Sequence, residues 1–443
     1  MTKLSFLDLY AQNISNSLII TFLCILGTYV IVRKNIYMLY DPLVLIVLMA
    51  GSSYSVVFIL FFNGLLDDYY FYSFLATQGA FFIGFLCNKK ASLSPPSGES
   101  DSWVKPYYSG SVRIIYPLSA ALFILSQLFV YSRSGVPLLL ESRLTVFAGG
   151  DGYGIFNRII FVCQIISSSI AFYRLFFIKG KGYSIIFDYF IILFCLSSAV
   201  LSGAKASIIM IIFSMFYVLL FVQKYQVDKS IFKSIRFFFL IFLSLGFIAA
   251  LVTIAFQTQS INILYLFSVL AMRFVNTGDI FFMAYVNGTF DHLEHGNFFL
   301  ALFKDYFGAF RIINWNDLPT NLGLQIFWSV YNSDMIQGPN PRHNVFGLFY
   351  LGPYLSVIYS FVVGFSVSFL RNKLLVKLPA TPVSMLFYVL VAANTFYIEQ
   401  DTTFALGQYL SIFMVFIPIW VVSRLFQQLR KRLNMKVRDV NNG

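Results

Sequence analysis

Long uncharged runs of apolar residues recur along almost the whole chain, and they constrain its fold more than any motif does. Only 11% of the 443 residues are charged, whereas 58% are hydrophobic and 19% are aromatic. These fractions lie far from those of soluble globular chains. A run of about 20 apolar residues is long enough to cross the hydrocarbon of a bilayer as a helix. The sequence therefore predicts an all-α integral membrane protein with many spans.

The uncharged runs predict a polytopic bundle of about 11 transmembrane helices. Three spans are indicated at residues 155–178, 184–203 and 205–223, each with a charged residue near one end. The other eight stand out by length alone, and they begin near Leu9, Pro42, Tyr69, Ile114, Phe237, Val345, Leu378 and Thr402.

The Lys and Arg residues gather in alternate loops between these spans. Most of the 31 basic residues fall in the loops after spans one, three, five, seven and nine and in the C-terminal tail. Cytoplasmic loops of membrane proteins carry such an excess of basic residues. We therefore predict a cytoplasmic C-terminus and, because the number of spans is odd, an N-terminus on the outer face. The basic balance follows from this topology and indicates no nucleic-acid partner.

Loop lengths divide the predicted topology into four regions. Residues 1–256 hold spans one to eight and an outer loop at residues 132–154. A much longer outer loop with interfacial helices is expected at residues 257–341. Residues 342–423 hold spans nine to eleven, and residues 424–443 form a basic cytoplasmic tail that suits anionic membrane lipid. Chemistry outside the membrane is expected in the two outer loops.

Several classes of function lack their sequence signature. No glycine-rich phosphate loop is recognisable, which argues against an ATP-driven pump. The centres of the spans are almost purely apolar, which argues against a flippase or another carrier with a polar central path. The four cysteines show no paired spacing, so neither a disulfide nor a zinc framework is indicated. We predict no cofactor.

The acidic residues of the outer loops are interpreted as solvated. Residues 291–295 (Asp-His-Leu-Glu-His) include metal-ligand types, but without a helical or sheet context a solvated loop is favoured over a metal site. Glu399 and Asp401 are interpreted as parts of a short outer turn, in which acids are easily accommodated. We assign them no catalytic role, and we predict no metal.

Basic residues on the otherwise acidic outer face need a separate reason, because they oppose the orientation rule. Two or three guanidinium groups can neutralise a diphosphate at low dielectric. Loop salt bridges are the alternative for Arg143, with Glu141 and Asp151 as available partners, and Lys205 has the alternative of snorkelling to the headgroups. The outer basic residues are Arg133, Arg143, Arg158, Lys205, Arg273, Lys304, Arg311 and Arg342.

The most informative corner is residues 339–344 (Pro-Asn-Pro-Arg-His-Asn), where the long polar loop meets an uncharged run of more than two dozen residues. Arg342 and His343 are therefore expected together at a membrane mouth. Arginine offers a fixed fork of donors to phosphate, and histidine can move a proton near neutral pH. His343 is a candidate base for a sugar hydroxyl, and the alternative is a residue that caps the start of the helix.

Short motifs then resemble a known family. Residues 134–139 (Ser-Gly-Val-Pro-Leu-Leu), followed by Arg143 and Gly154, resemble the arginine and glycine loop motif of bacterial O-antigen polymerases. The family's second loop motif is matched less well, because Gly323 follows Arg311 one residue late.

Two further segments resemble the same family. The start of span nine at His343 and Asn344, with the glycines that follow it, is similar to a pattern shared by O-antigen polymerases and O-antigen ligases. The turn before Lys205 resembles their small-residue turn before a basic residue, where arginine is commoner.

The resemblance implies a GT-C-type, metal-independent glycosyltransferase of the bacterial inner membrane, with a long periplasmic loop between helices 8 and 9. Such an enzyme joins undecaprenyl-diphosphate-linked oligosaccharide repeats at the periplasmic face. Its partners are the lipid-linked oligosaccharide, membrane lipid and a chain-length regulator protein. An O-antigen ligase and a polysaccharide flippase are the alternatives. The implied site comprises Arg342 and His343 as catalytic residues, Gly154 as a backbone motif, and for the diphosphate Arg143, Arg158, Lys205, Arg273 and Arg311.

Overall fold

The protein is helical throughout its described regular structure. The structure is a computed structural model, and it describes residues 6–38, 41–93, 110–140, 154–178, 182–203, 205–224, 229–286, 288–333 and 335–441. In these ranges the first helices are α1 (Phe6–Gln12), α2 (Ile14–Val32), α3 (Pro42–Phe62), α4 (Asp68–Leu86), α5 (Val112–Ser134), α6 (Gly154–Tyr173), α7 (Tyr183–Leu201), α8 (Lys205–Gln223) and α9 (Lys229–Thr258). The remaining helices are α10 (Ile263–Val275), α11 (Asp279–Tyr285), α12 (Phe298–Leu302), α13 (Lys304–Ala309), α14 (Leu322–Tyr331), α15 (His343–Ser368), α16 (Leu374–Lys377), α17 (Pro382–Ala393), α18 (Thr395–Gln400) and α19 (Thr402–Asn441).

Eight helical segments within the described ranges are long and apolar enough to cross a membrane, so the chain is a polytopic helical membrane protein. Helices α4, α8 and α9 occupy the other three predicted spans but are not among those eight. The count of eleven therefore stays a prediction. The eight segments are Ile14–Asn35, Pro42–Phe62, Val112–Leu139, Gly154–Ile178, Tyr183–Leu201, His343–Lys377, Pro382–Gln400 and Thr402–Arg430.

The chain forms two compact units. Unit 1 comprises Met1–Ala91, Ala250–Val376 and Asn394–Gly407, and unit 2 comprises Ser92–Ala249, Lys377–Ala393 and Gln408–Gly443. In unit 2, α5, α7, α8 and α17 all pack against α6. A buried ion pair joins Arg174 to Asp188 at 2.9 Å there.

Unit 1 is built around α3, α4 and α15. Asp41 caps the start of α3 by accepting a hydrogen bond from the backbone N–H of Leu43 at 2.9 Å, and Pro42 suits the first helical position. Helix α2 and the shorter α10 and α11 pack against α3, while α4 packs against α15. Buried aromatic and branched side chains from these helices form one continuous core.

Close contact between α4 and α15 depends on two glycines. A Cβ atom on Gly84 would collide with the backbone of Phe361, and one on Gly364 would collide with the backbone of Phe81. Residues of increasing number in α4 meet residues of increasing number in α15, because Asn88 donates to Ser368 at 3.0 Å further along both helices. The two helices therefore run parallel, in agreement with the predicted directions of spans three and nine.

Helix α15 is two helices that fold back on each other, which corrects the prediction of one uninterrupted run from Val345. Gly352 has φ +72° and ψ −176°, a conformation essentially restricted to glycine, and Pro353 follows it. His343 Nδ1 lies 2.9 Å from Ser360 Oγ, although a straight helix would separate them by about 25 Å. We call residues 343–351 α15a and residues 353–368 α15b. At about 13 Å, α15a is too short to span a bilayer.

Candidate functional site

The side chain of Arg342 lies at the start of α15a and is only 1% exposed. One nitrogen, Nη1, forms an ion pair with Glu399 Oε1 of α18. Another, Nε, donates to the backbone carbonyl of Thr277 at 3.2 Å. The guanidinium group also lies over the ring of Tyr54, 5.6 Å from its centroid. Three separate segments of unit 1 therefore fix this arginine.

A chain of hydrogen bonds extends from Glu399 to α15a. Tyr54 OH donates to Glu399 Oε1 at 2.9 Å, and Gln78 Nε2 donates to Tyr54 OH at 2.9 Å. Asn344 Nδ2 then donates to Gln78 Oε1 at 3.3 Å and to Thr77 Oγ1 at 2.9 Å. Each of these side chains is buried. We call the cluster of Tyr54, Thr77, Gln78, Arg342, Asn344 and Glu399 the buried polar site.

The buried polar site lies near the middle of two long helices. Tyr54 is about 12 Å along α3 from Phe62, and Gln78 is about 15 Å along α4 from Asp68. Arg342 therefore lies far from the end of α3 at Phe62 and from the start of α4 at Asp68. The chain reaches this depth before α15a leads it back. Non-helical backbone is tolerated at such depth only where protein buries it or where it lines a polar cavity. Residues 338–342 thus form a re-entrant segment.

Packing against α14 fixes the re-entrant segment. A Cβ atom on Gly323 would collide with the backbone of Pro339, and one on Gly338 would lie 2.5 Å from the carbonyl oxygen of Gly323. Only glycine permits this approach of the two backbones. Asn340 also donates to Gln400 at 3.5 Å, next to Glu399.

Several polar atoms of the buried polar site have no hydrogen-bond partner among the described residues. They are Arg342 Nη2, Glu399 Oε2 and Asn344 Oδ1. Buried polar groups are hydrogen-bonded in the great majority of cases, so each exception needs an explanation. Charged groups at membrane depth are costly and by default indicate function. The described site therefore has one unused donor nitrogen, on Arg342, and two unused acceptor oxygens, on Glu399 and Asn344.

The structure encloses His343 inside unit 1, with no exposed surface. Its ring stacks on Phe81, with ring centroids 4.8 Å apart and an interplanar angle of 14°, and its Nδ1 bonds to Ser360. The Nε2 atom is buried without a partner in the described residues. The predicted open position at a membrane mouth is therefore wrong for this side chain. His343 instead joins α15a to α15b and to α4.

Asp279 lies beside Arg342, two residues after Thr277. Burial raises its pKa to about 7, against the opposing effects of a hydrogen bond from the backbone N–H of Ile280 and the charge of Arg342. The residue is mostly buried but keeps more exposed surface than Glu399 does. Asp279 and Arg342 form no direct ion pair of the kind that joins Arg342 to Glu399. No motif or charge pattern in the sequence indicates Asp279.

A second polar group lies near the start of α19. Asp401 caps this helix by accepting a hydrogen bond from the backbone N–H of Phe404 at 2.9 Å. Burial raises the pKa of Asp401 to about 6, and burial lowers the pKa of nearby Lys304. Both residues line a small cavity with Pro341 and Tyr350, which holds about one water by volume.

The other predicted diphosphate-binding residues have varied positions. Arg311 is exposed and has φ +55°, and Arg273 is half-buried in the last turn of α10. In unit 2, Arg158 of α6 donates to Ser411 at 2.9 Å. Arg143 lies outside the described residues. Lys205 begins α8, and Gly154 begins α6, where it is exposed. Of the predicted site residues that the structure describes in unit 1, Arg342 and His343 lie together at the start of α15a.

The interpretation of Glu399 and Asp401 as solvated acids of an outer turn is wrong for Glu399. The residue lies in α18, is 4% exposed and neutralises Arg342. Glu399 was assigned to the short outer turn because it is close in sequence to that turn. The sequence offered one indication of burial, because Glu399 directly follows an apolar run. An acid at that position is either solvated in a loop or buried at the end of a span.

Among the described residues, no group of three His, Cys, Asp or Glu side chains lies close enough to hold a metal ion. His295 of the 291–295 segment stacks on Phe349, with ring centroids 4.5 Å apart. Comparisons with protein-family models, with curated proteins and with solved structures found no match for this chain.

Proposed function

We propose that this chain is an O-antigen polymerase, a glycosyltransferase that joins undecaprenyl-diphosphate-linked oligosaccharide repeats. The proposal includes a GT-C-type bundle of about 11 spans in the bacterial inner membrane, with the long loop in the periplasm and the C-terminus in the cytoplasm. The resemblance of the loop and glycine motifs supports it. The alternatives are an O-antigen ligase, which uses the same lipid donor, and a flippase.

The observation that carries the proposal is Arg342, a buried arginine on a re-entrant segment with one nitrogen unpaired. Two ions cost several kcal/mol each to bury, and their mutual attraction offsets this only in part. A membrane protein gains little stability from such a pair. A ligand that needs a guanidinium group inside the protein accounts for the pair.

In the proposed reaction, Arg342 stabilises the leaving group. The acceptor sugar hydroxyl attacks the anomeric carbon of the donor chain, and the bond from that carbon to the diphosphate oxygen breaks. Negative charge grows on the diphosphate as the bond breaks, and a fixed guanidinium group can stabilise it without moving. Glu399 holds Arg342 in position through Nη1 and leaves Nη2 for the phosphate. No cofactor is required.

His343 has a positioning role in this proposal. Its bond to Ser360 and its stacking on Phe81 hold the start of α15a, and thus Arg342, against two neighbouring helices. Such support fixes the orientation of a reacting group. Further contacts to the diphosphate are proposed for Arg143, Arg158, Lys205, Arg273 and Arg311. Membrane lipid and a chain-length regulator protein are the proposed partners.

A gel of lipopolysaccharide from cells that lack this gene tests the proposal. Deletion should leave the core with a single repeat, and the wild-type gene should restore the ladder of longer chains. Bare core after deletion would support a ligase or a flippase instead. An unchanged ladder would contradict any role in this pathway.

Two matched variants test the site within the same assay. Arg342→Lys keeps the charge but loses the planar fork of donors, so it should fail to restore the ladder. Arg371→Lys is the control, because Arg371 is also 1% exposed and also forms a buried ion pair in unit 1, with Asp41. At equal protein levels, loss of the ladder with Arg342→Lys alone supports a functional role. Equal loss with both variants would indicate a structural role.

A further inference from the structure

Asp279 occupies a rigidly held position next to Arg342. The carbonyl of Thr277 accepts hydrogen bonds from Ser53 Oγ at 3.1 Å and from Arg342 Nε at 3.2 Å. A Cβ atom on Gly278 would lie 2.5 Å from the carbonyl oxygen of Ser53, so the backbone just before Asp279 is pressed against α3. One short segment thus fixes both Arg342 and the acid beside it.

Three side chains of unit 1 near Arg342 are candidates to accept a proton, and they differ in access. His343 is fully enclosed between Phe81 and Ser360. Glu399 is 4% exposed, and its Oε1 already accepts from Arg342 and Tyr54. Asp279 is mostly buried, but of these three it keeps the most exposed surface, and it makes no direct ion pair with Arg342. A general base must reach the hydroxyl whose proton it takes.

We infer that Asp279 is the catalytic base of the proposed glycosyl transfer and that it accepts the proton of the acceptor sugar hydroxyl. This inference rests on the proposed function. It assigns the base to a different residue from the histidine that the sequence suggests. It also gives the two charged residues separate tasks, because Arg342 faces the leaving diphosphate while Asp279 faces the incoming sugar.

The step balances without a co-reactant. An oxygen lone pair of the acceptor hydroxyl forms the new bond to the anomeric carbon. The electron pair of the broken bond leaves on the diphosphate oxygen, and the hydroxyl proton moves to a carboxylate oxygen of Asp279. The proton later passes from Asp279 to water.

The ionisation of Asp279 suits this task. A base works best when its pKa lies near the operating pH, and burial brings the pKa of Asp279 to about 7. The charged and titratable groups around it are Arg342 at the start of α15a and Tyr331 at the end of α14. Tyr54 and Glu399 approach Arg342 from the buried polar site.

The test measures chain elongation by purified full-length protein in liposomes, with the undecaprenyl-diphosphate-linked repeat as substrate. For wild type, kcat/KM should rise with pH and level off above about pH 7, because the base must be deprotonated. Asp279→Asn should lower kcat about 100-fold or more and remove this rise. Asp279→Glu should recover part of the activity with a displaced pH profile.

Further variants separate a base from a structural residue. Formate should partly restore elongation to Asp279→Ala, because a small carboxylate can take the place of the missing one. Asp317→Asn, a change at an exposed acid, is the control and should leave kcat and the pH profile unchanged. His343→Gln should keep the rise of activity toward pH 7.

Two results would overturn the inference while the proposed function stands. One is an Asp279→Asn enzyme with wild-type rate and pH profile, and the other is loss of the pH dependence in His343→Gln but not in Asp279→Asn. Failure of the wild-type protein to elongate this substrate would refute the proposed function itself, and the inference with it.

Discussion

Two arginines of unit 1 are buried in ion pairs, and their surroundings give them different roles. Arg371 binds Asp41, which also caps α3, and donates to the carbonyl of Asn35 at 3.0 Å. That pair ties together the segments around the start of α3 and the end of α15. Arg342 lies instead on a re-entrant segment, and its ion pair with Glu399 joins the start of α15a to α18 near the middle of α3 and α4.

Breaking the pair of Arg342 and Glu399 from one side should be severe. Glu399→Gln leaves a buried guanidinium group without its counter-charge, which costs about 3–5 kcal/mol. The double variant Arg342→Gln with Glu399→Gln removes both charges and should lose less stability than the sum of the two single changes. Unfolding of the detergent-solubilised variants measures the three free energies. Additive losses would argue against direct coupling of the two side chains.

Asp401 should make stability depend on pH. Its folded pKa of about 6 lies above the ordinary value of 3.8 for an aspartate, so its contribution to stability is full below about pH 4 and is lost as pH rises through about 6. Asn keeps the helix cap but does not ionise. Asp401→Asn should therefore gain thermal stability relative to wild type between pH 5 and pH 8. Melting temperatures of both proteins measure this, with exposed Asp317→Asn as the control, and a constant difference would contradict it.

At the residue scale, sequence reasoning identified Arg342 and His343 but not their environment. A proline-rich segment before an apolar run was a sufficient signal for the arginine. Nothing local indicated that Tyr54 of α3 bonds to Glu399, or that Gln78 of α4 bonds to Tyr54. Contacts between residues hundreds of positions apart depend on how the helices pack. Helices that are apolar on every side do not show in the sequence which face packs against which neighbour.

At the scale of elements, the reversal at Gly352 determines what α15 can do. A continuous helix from His343 would carry that residue about 25 Å from Ser360. The hydrophobicity of the run gave no sign of a reversal, because α15a and α15b are both mainly apolar. The adjacent Gly352 and Pro353 were the only local indication, since the pair marks turns. Hydrophobicity thus predicted that the segment is embedded, but not its path.

The contact between α4 and α15 should tolerate no side chain at its glycines. Gly84→Ala and Gly364→Ala each place a methyl group against the backbone of the other helix, so both should destabilise the protein or prevent its accumulation. Gly79 lies on the same α4 with no atom within 4 Å of its Cβ position. Gly79→Ala is therefore the control and should be neutral or slightly stabilising.

Melting temperature in detergent and protein level in membranes measure these three variants. If Gly84→Ala and Gly364→Ala had the same melting temperature and protein level as Gly79→Ala, close packing of α4 against α15 would be contradicted. Because the buried polar site depends on α4 through Thr77 and Gln78, the two destabilised variants should also lose activity in the elongation assay.

At the scale of the whole molecule, composition was sufficient for the class of fold. Runs of apolar residues predicted an all-helical membrane protein, and the described structure has that character. The same reasoning failed to distinguish helices that cross the membrane from those that only reach into it. Sequence hydropathy measures transfer into lipid, whereas α15a is surrounded mainly by protein, as its buried residues show.

Cysteine labelling should establish the orientation and the parity of the spans. After replacement of the four native cysteines, Asn13→Cys and Asn316→Cys should react with a membrane-impermeant maleimide in intact spheroplasts. Gln428→Cys should react only after permeabilisation. All three positions are exposed. Labelling of positions 13 and 428 from the same side would mean an even number of spans, and outside labelling of position 428 alone would reverse the proposed orientation.

The separation of Arg342 and Glu399 along the chain also sets an order of events during synthesis. The two residues are 57 positions apart, so the ribosome makes the arginine well before its counter-charge. Until α18 emerges, a nascent chain holds a re-entrant segment whose guanidinium group has no carboxylate to bind. A segment that is made late, just before α19, thus completes this buried position. A chain that terminates before α18 would keep Arg342 without its counter-charge, and we expect such a chain to be degraded by the proteases that clear unfinished membrane proteins.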